Sequence, residues 1–453
     1  KRVVYVLLVK PPPNNPNLIC ERRDIALMAQ DMKLLMKMVR ETCYKRIARR
    51  VLSDQVGWVA GLGAFDPGLS ATNIIQQAKE LGRTLYLLYI DLATFFPMID
   101  RGVLSAAEIW HGVPKDVREL TARIFGAFDN NEDGMRCQYD TAAGLSEYFR
   151  NNRGALMGCV LSPDRAKILL NSMIMAIHLH AKGVRVWGSK EDDGDLWRQI
   201  VQLAYADDWL GCFERGEEVK KAWALWSVWE QATGSKLGIK KSLKTVLTGV
   251  SWRDGVACIP PAVELFTSDG RQVPFMTHEE AYKYLGLSRR ADGNDAAAWA
   301  ALMRKFDAAI ARLRRVHSNS MTMDEFVLVS DSLMGGLAEF YLRSLYITRE
   351  QAEQVERKWR RVYSARTKRD SSTPRALLYG SGAIGRGRRH VWSVGLAALF
   401  DCMTTAMSDT HESAQRVSTR AAVARRAAVW GCRQDPLKWS SEHVVGEIET
   451  YLA

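Results

Sequence analysis

The most constraining feature of this sequence is a pair of adjacent acids, Asp207 and Asp208, set between two short apolar segments. An apolar run, two acids and a second apolar run are typical of a β-hairpin with the acids at its tip. Asp also favours ordinary surface turns, but Tyr205, Trp209 and Leu210 surround these acids with large apolar groups. Adjacent carboxylates repel each other unless a cation joins them, and Mg²⁺ prefers oxygen ligands. The hairpin therefore predicts a cation site that needs a third acid.

A candidate for this third acid follows an apolar segment upstream. Leu85–Ile90 is a continuous apolar run that ends at Asp91, which is the pattern of a buried strand with a carboxylate at its end. An acid after a strand is often only a helix cap. Asp100, however, is available to cap the helix that we expect from Arg101. Asp91 is therefore left as the candidate ligand.

The positive charge of the chain is concentrated in two regions. The 453 residues carry a net charge of +12. Residues 1–60 hold 12 Lys and Arg against 5 Asp and Glu, and residues 296–390 hold 18 against 9. The rest of the chain is slightly acidic. Two basic regions around an acidic site favour a polyanion gripped on both sides of it; the alternative, charge for solubility, is usually spread evenly.

Length and composition exclude several classes of protein. The length allows two or three domains, and 47% hydrophobic with 25% charged residues is ordinary for a soluble globular protein. Apolar runs such as residues 3–9 are too short to span a membrane. The eight Cys are scattered without a C-x-x-C pair, which argues against a zinc module or a disulfide framework and indicates a reducing compartment. Because no initiator Met is present, we expect a longer polypeptide.

Periodicity and capping signals predict the other elements that surround these acids. Gly154 and Gly158 allow close approach of a ligand to the backbone, and they precede a helix that we expect to start with Ser162 as N-cap. Further predicted elements are helices over 31–52, 73–81 and 296–316, a basic helix after a capping box at Thr348, and a strand over 282–287.

In this order, the segments resemble the reverse transcriptases, in particular those of non-LTR (LINE-type) retrotransposons. The resemblance covers roughly residues 18–290 and rests on several ordered motifs. Residues 23–27 are similar to the family's Arg-Pro-Ile-Ser-Leu segment, and residues 55–58 to its Gln-x-Gly-Phe. The remaining matches are residues 91–96 and 154–163 (the first two palm motifs), 205–208 (the signature hairpin), Lys241 (the lysine of the next motif) and 284–286 (the primer-grip entrance).

The resemblance implies an α+β fold: a right-hand polymerase with fingers, a ferredoxin-like palm and a helical thumb. The boundaries that we expect are 1–84 for the fingers, 85–265 for the palm with a fingers insertion near 112–153, 266–295 for the primer-grip region, 296–370 for the helical thumb, and 371–453 for a C-terminal extension of unknown role.

The function that the resemblance implies is RNA-directed DNA synthesis by two-metal nucleotidyl transfer. Two Mg²⁺ ions are expected, with Mn²⁺ as a substitute. The expected partners are an RNA template, a DNA primer or nicked DNA, and dNTPs, with no membrane; further protein partners or missing domains of a longer polypeptide are open. We expect an intracellular, nuclear location, with an organelle as the alternative. The alternative function is a catalytically impaired RNA-binding scaffold within a larger ribonucleoprotein, and a template-independent nucleotidyl transferase is a third.

The same resemblance implies a role for individual residues. The metal ligands would be Asp91, the Leu92 carbonyl, Asp207 and Asp208, with Lys241 neutralising or protonating the pyrophosphate. The residues implied to bind the nucleotide are Arg23, Leu92, Phe96, Met157, Gly158 and Tyr205, with Phe96 excluding a 2′-hydroxyl. Those implied to bind nucleic acid are Lys283, Tyr284, Gly286, Arg312, Arg314 and Arg315.

Three positions depart from the family's pattern. Met157 stands where Gln is usual, next to the incoming base pair; Pro97 replaces a frequent Asp, and Gly238 occupies a common Asn position. None of the three removes a metal ligand. The Met157 departure affects nucleotide positioning, and it is the feature that favours the scaffold alternative.

Overall fold

The computed structural model describes most of the chain. The described residues are 2–9, 22–59, 62–92, 95–125, 136–141, 143–151, 153–187, 197–237, 245–316, 321–345 and 349–367, with isolated helical positions between 391 and 422.

These residues form fifteen strands and eleven α-helices. The strands are β1 (Arg2–Val9), β2 (Arg22–Met28), β3 (Leu85–Ile90), β4 (Arg136–Thr141), β5 (Gly144–Leu145), β6 (Phe149–Arg150), β7 (Val184–Trp187), β8 (Trp197–Ile200), β9 (Gln202–Tyr205), β10 (Asp208–Phe213), β11 (Val246–Arg253), β12 (Val256–Cys258), β13 (Phe275–Met276), β14 (Ala281–Tyr284) and β15 (Leu287–Arg290). The helices are α1 (Gln30–Val39), α2 (Lys45–Ala48), α3 (Phe65–Glu80), α4 (Phe95–Met98), α5 (Arg101–Trp110), α6 (Lys115–Phe125), α7 (Ser162–His180), α8 (Gly216–Thr233), α9 (Ala296–Arg314), α10 (Met323–Leu342) and α11 (Arg349–Thr367). A π-helical turn, Arg40–Tyr44, joins α1 to α2.

The central sheet positions the predicted acids. Its strand order is β12-β11-β3-β10-β9, and β13 pairs with β11. Strand β3 is antiparallel to both β10 and β11, and all six of its residues are buried. The prediction of a buried strand before Asp91 is therefore confirmed. Because β3 and β10 are antiparallel neighbours, the end of β3 lies beside the start of β10, where Asp208 stands.

Both faces of the central sheet are covered. The even-numbered residues 86–90 of β3 belong to one hydrophobic core together with residues of α7 and α8. The odd-numbered residues 85–89 belong to a second core with residues of α3 and β14. Successive strand residues point to opposite faces, so an all-apolar strand is expected where both faces are buried. The central sheet is thus a middle layer between two sets of elements.

A second sheet lies in the N-terminal half. Its order is β2-β1-β4-β5, and β6 pairs with β4. Strand β1 runs antiparallel to β2 and parallel to β4. Buried residues of β1 and β2 share the core of α7. This packing brings β2 beside the glycine-containing loop that precedes α7.

The three long helices α9, α10 and α11 share a third core. The helix predicted over 296–316 is confirmed as α9, and its residues Leu302, Phe306, Ile310 and Leu313 are all buried in this core. Within the described residues, no helix combines the length and apolar character needed to cross a membrane. The mixture of helices and sheets agrees with the predicted α+β class, whereas the division into fingers, palm and thumb stays a prediction.

Several predicted element boundaries were wrong. Helix α3 begins at Phe65 and not near residue 73, because Pro67 occupies the first turn, where no backbone N–H is needed. The helix predicted over 31–52 ends at Ala48 and contains the π-helical turn. Ser162 is the first residue of α7 and not its cap, since Leu161 is the N-cap and makes no side-chain cap bond.

Three further predictions concern one turn and two helix caps. The segment 282–287 is not one strand, because Leu285 and Gly286 have φ values of 48° and 84° and turn the chain between β14 and β15. The predicted cap is confirmed, as the Asp100 carboxylate accepts hydrogen bonds from the N–H groups of Gly102 and Val103. The capping box predicted at Thr348 lies outside the described residues.

Candidate functional site

The two adjacent acids lie on the predicted hairpin. Strands β9 and β10 pair antiparallel with Tyr205 opposite Asp208, so that Ala206 and Asp207 form the turn. Ala206 has φ 57°, a left-handed conformation that is uncommon for a residue with a Cβ. Tyr205 and Asp207 are half-buried and Asp208 is exposed, while Trp209 anchors β10 in the core. The hairpin therefore presents both carboxylates at one end of the central sheet.

Asp91 reaches the same end of the sheet. Ile90 pairs with Trp209, so that continuing this register by one residue sets Asp91 opposite Asp208. The backbone N–H of Asp91 donates to the Thr245 hydroxyl at 3.2 Å, which fixes the chain just after β3. The structure thus brings Asp91 and Asp208 together, with Asp207 in the adjoining turn.

Two stacked tyrosines, Tyr89 and Tyr282, form a wall beside these acids. The rings of Tyr89 and Tyr282 are stacked, with centroids 4.0 Å apart and an interplanar angle of 19°. Burial raises the pKa of the Tyr282 hydroxyl, and the negative charges of Asp91 and Asp208 raise it further. Both carboxylates therefore act on one phenol, which places all three groups in one electrostatic environment.

The segment with the predicted nucleic-acid contacts adjoins this wall. Tyr284 is 2% exposed, and its hydroxyl donates to the Leu203 carbonyl at 3.2 Å. Burial, followed by the charge of Asp208, raises the pKa of Tyr284. Its side chain belongs to the core, whereas Lys283 is exposed and the Gly286 carbonyl accepts a bond from the Tyr341 hydroxyl at 3.2 Å. Because the Tyr284 ring is buried, it offers no exposed surface for the predicted contact with nucleic acid.

The glycine-containing loop before α7 packs between β2 and α4. The Ala26 N–H donates to the Met157 carbonyl at 2.7 Å, and the Ala155 N–H donates to the Phe96 carbonyl at 2.8 Å. Gly158 has φ 101°, and a Cβ at this position would lie 2.8 Å from the Ala26 carbonyl oxygen. Glycine is therefore required there, by conformation and by space. Met157 is half-buried and Gly158 exposed, so this loop offers a surface to a ligand.

Phe96 is accessible, in contrast to its neighbour Phe95. The Phe95 ring is 3% exposed, and Phe96 is half-buried. The Phe96 ring meets Trp58 edge-on, with centroids 5.7 Å apart. Leu92 is buried and forms an isolated bridge with Leu237. Of the two rings, only Phe96 has an exposed part that a ligand could contact.

The structure describes the remaining predicted residues only in part. Arg23 belongs to β2 by its backbone, but its side chain is outside the described residues, as is the whole of Lys241. Arg312, Arg314 and Arg315 are exposed at the C-terminal end of α9.

Sequence reasoning missed two residues that contact the site. The sequence predicts Tyr282 only as part of a strand, although its position two residues before Tyr284 puts both on one face. Gln55 belongs to a predicted motif that assigns it no role, yet its side-chain amide bonds the hairpin turn at Ala206. The alternation of side chains along a strand could have placed Tyr282 on the same face as Tyr284. For Gln55, the sequence offered only membership of a motif.

The three acids fit a metal ion by the chemistry of their donor atoms. Carboxylate and carbonyl oxygens are the ligands that Mg²⁺ prefers. Within the part of the chain that the structure describes, no three His, Cys, Asp or Glu side chains are grouped closely enough to hold a metal ion. The donor chemistry of Asp91, Asp207 and Asp208 fits Mg²⁺, whereas an assembled three-donor cluster is not present among the described residues. The metal site stays a prediction.

Comparison with solved structures gives low similarity. Telomerase from Candida tropicalis in complex with a TWJ fragment of telomeric RNA matches with a TM-score of 0.43 and 12% identity over 99% of this chain and 64% of that chain. Apo telomerase from Candida tropicalis matches with a TM-score of 0.42 and 10% identity over 93% and 69% of the two chains. Because both TM-scores are below 0.5, no conclusion about this chain depends on them.

Comparison with known sequences gives a more specific result. No protein-family model matches the chain. The Retrovirus-related Pol polyprotein from type-1 retrotransposable element R2 of Popillia japonica is 23% identical over 220 residues, which cover 48% of this chain and 33% of that protein. The match therefore spans about a third of the length of this curated relative. This similarity confirms that the chain resembles the reverse transcriptases of non-LTR retrotransposons.

Proposed function

We propose that this chain is an RNA-directed DNA polymerase that extends a primer on an RNA template. The observation that carries the proposal is the convergence of Asp91 and Asp208 at one end of the central sheet, with Asp207 in the adjoining turn. The similarity to a retrotransposon Pol polyprotein supports the same class of reaction.

Under this proposal the chain is divided as in a right-hand polymerase. The central sheet with α7 and α8 forms the palm, and the helices α9 to α11 form the thumb. The proposed boundaries are 1–84 for the fingers, 85–265 for the palm with the insertion near 112–153, 266–295 for the primer-grip region, 296–370 for the thumb and 371–453 for the C-terminal extension.

The proposed reaction joins the primer 3′-oxygen to the α-phosphorus of a dNTP and releases pyrophosphate. Asp91, Asp207 and the Leu92 carbonyl would hold two Mg²⁺, or Mn²⁺ in their place, and Asp208 would assist from the primer side. When bound, the metals would supply positive charge to the attacking and leaving oxygens. Lys241 would donate a proton to the pyrophosphate, and Arg23 would bind the triphosphate.

The tyrosine wall supports this assignment electrostatically. The Tyr282 phenol is protonated at neutral pH, as an ordinary tyrosine with a pKa of about 10 is, and the raised pKa keeps it so. The side chain therefore adds no negative charge beside Asp91 and Asp208. A neutral wall leaves the acids as the main negative charges at this end of the sheet, which suits the binding of cations.

The partners and location follow from the proposed reaction. An RNA template, a DNA primer or nicked DNA, and dNTPs are required, and the basic end of α9 would contact the duplex. A nuclear location is proposed, because the proposed primer is nicked DNA; an organelle is the alternative.

The test is primer extension on an RNA template with Mg²⁺. Asp91→Asn and Asp207→Asn should each abolish extension while leaving RNA binding intact, since each substitution removes a charge and keeps the shape. Asp100→Asn is the matched control, because this acid caps α5 and is given no part in the chemistry. Near wild-type extension by either of the first two variants would contradict the assignment.

The scaffold alternative is favoured by two observations, Met157 in the glycine-containing loop and the missing three-donor cluster among the described residues. Met157→Gln separates the two functions, because Met cannot make the hydrogen bonds of Gln but packs against a base or a sugar. A polymerase should incorporate dNTPs in both forms, with altered affinity or fidelity in Met157→Gln. A scaffold should bind RNA and incorporate nothing in either form, and incorporation without any template would indicate a terminal transferase.

A further inference from the structure

One buried side chain holds the tip of the acidic hairpin. Gln55 is 2% exposed, and its Nε2 donates to the Ala206 carbonyl at 3.0 Å. Its Oε1 accepts from the Ala206 N–H at 2.9 Å and from the Gly57 N–H at 2.9 Å. The two N–H donors fix the orientation of the amide, because only its oxygen accepts. Both backbone groups of the turn residue are thus bonded by one glutamine.

The segment around Gln55 pairs with the hairpin like a short extra strand. The Ala204 N–H donates to the Asp54 carbonyl at 2.9 Å, and the Val56 N–H donates to the Ala204 carbonyl at 3.0 Å. Strand β9 is at the edge of the central sheet, so this segment covers that edge. The Gln55 amide continues the ladder to Ala206, two residues beyond Ala204 and past the end of β9.

The contact is close enough to need glycine. A Cβ on Gly57 would lie 2.2 Å from the Ala206 nitrogen, a distance that no side chain can occupy. Ala206 itself is in the left-handed region at φ 57°. A residue with a Cβ is strained in this conformation, and such strain persists only where the surroundings enforce it. A two-residue hairpin turn favours a positive φ at its first central residue, and the two bonds from Gln55 act on the residue that adopts it.

We propose that Gln55 is a positioning residue that holds Ala206 in the left-handed conformation and thereby sets the carboxylates of Asp207 and Asp208 relative to Asp91. Its effect on the rate rests on the proposed polymerase function, whereas its hold on the turn does not. The competing explanation is that the Gln55 amide makes hydrogen bonds that stabilise only its own loop and do not affect the position of the acids.

The first measurement is hydrogen exchange of the Ala206 amide, which needs no activity. Gln55→Leu removes the acceptor while keeping the approximate size, so exchange at Ala206 should be about tenfold faster. Gln138→Leu is the matched control, because Gln138 is also buried and donates to a backbone carbonyl, that of Ser146, in the other sheet. Unchanged exchange at Ala206 in Gln55→Leu overturns the inference, whatever the activity. If Gln55→Leu fails to fold, Gln55→Met replaces it, because Met is unbranched like Gln and also lacks the amide; unchanged exchange at Ala206 in Gln55→Met then overturns the inference.

The second measurement is primer extension. Gln55→Leu should lower kcat about a hundredfold, with the KM for dNTP and the affinity for RNA little changed, because misplaced reacting groups slow the chemical step. Adding Ala206→Gly should restore part of kcat, since glycine adopts the left-handed conformation without strain. Faster exchange with an unchanged kcat would overturn the positioning role. If the wild type does not extend primers, the proposed function fails, and the exchange at Ala206 still decides whether Gln55 holds the turn.

Discussion

The Glu108 carboxylate accepts a hydrogen bond from the Arg165 guanidinium at 2.6 Å, and both side chains are buried. The same carboxylate oxygen accepts from the Tyr44 hydroxyl at 2.9 Å. Glu108 belongs to α5, which follows the Phe96 segment, and Arg165 belongs to α7, which follows the glycine-containing loop. The ion pair therefore links the helix that follows Phe96 to the helix that follows Met157 and Gly158, which are residues predicted to bind the nucleotide.

Removing one partner of this pair should be strongly destabilising. Glu108→Ala leaves a buried guanidinium without its counter-charge, which costs about 3–5 kcal/mol of the free energy of unfolding. Glu41→Ala is the control, because Glu41 forms an exposed pair with Lys45, and exposed ion pairs contribute little to stability. Urea unfolding measures the loss in both variants. Equal losses in the two variants would show that the buried pair contributes no more to the free energy of unfolding than the exposed pair.

The parts of the fold that the sequence predicted correctly depend on local patterns. Strand β3 has an unbroken apolar run, Asp100 directly precedes a helix in the sequence, and the hairpin has two acids between apolar segments. In α9 the apolar residues recur at helical spacing. Each pattern is complete within about twenty residues, so no knowledge of distant packing was needed.

The parts that the sequence did not predict depend on contacts between distant segments. Gln55 and Ala206 are 151 positions apart, and only the folded chain shows that an amide bonds the turn. Tyr282 lies beside Asp91 because β14 packs on the central sheet. The turn at Leu285 was missed because leucine rarely adopts a positive φ, and a propensity rule predicts a continuing strand.

Phe96 should control the choice between dNTP and rNTP. Its half-buried ring packs edge-on against Trp58, and a smaller side chain opens the space that a 2′-hydroxyl needs. Phe96→Val should therefore raise the use of rNTP relative to dNTP by at least about tenfold. The ratio of kcat/KM values for the two nucleotides measures this. Phe95→Leu is the control, as this ring is buried and should affect stability only. An unchanged ratio in an active Phe96→Val enzyme would rule out the gate.

His178 should make stability depend on pH. Its Nδ1 lies 3.4 Å from the Asp54 carboxylate, and this hydrogen bond raises the histidine pKa above 6.5. A raised pKa means that the charged form is stabilised by folding, so the contribution is fully present below about pH 6.5 and is lost as the pH rises through the folded value. The imidazole is partly exposed, so we expect about 0.2–1 kcal/mol.

Urea unfolding at pH 5.5 and pH 8.5 measures this contribution. His178→Gln should lower the free energy of unfolding at the acid pH and have little effect at the alkaline pH. Asp54→Asn should remove the same pH dependence while keeping an oxygen for the Gln202 amide, which donates to Asp54 at 3.1 Å. A loss of equal size at both pH values would show that the imidazole acts by packing and not by charge.

The exposed end of α9 should bind phosphates. Three positive side chains are exposed there, and each phosphate contact that releases a counterion adds to the dependence of affinity on salt. Replacing all three by Ala should weaken RNA–DNA binding without sequence preference and flatten the slope of log K against log[salt] by about 2–3 units. The substituted residues are Arg312, Arg314 and Arg315.

A matched triple variant serves as the control. It removes three positive charges of the α8 region that already pair with Glu217 or Glu218, namely Arg215, Lys220 and Lys221. Equal slopes in the two triple variants would mean that the end of α9 faces solvent or a protein partner and not the nucleic acid.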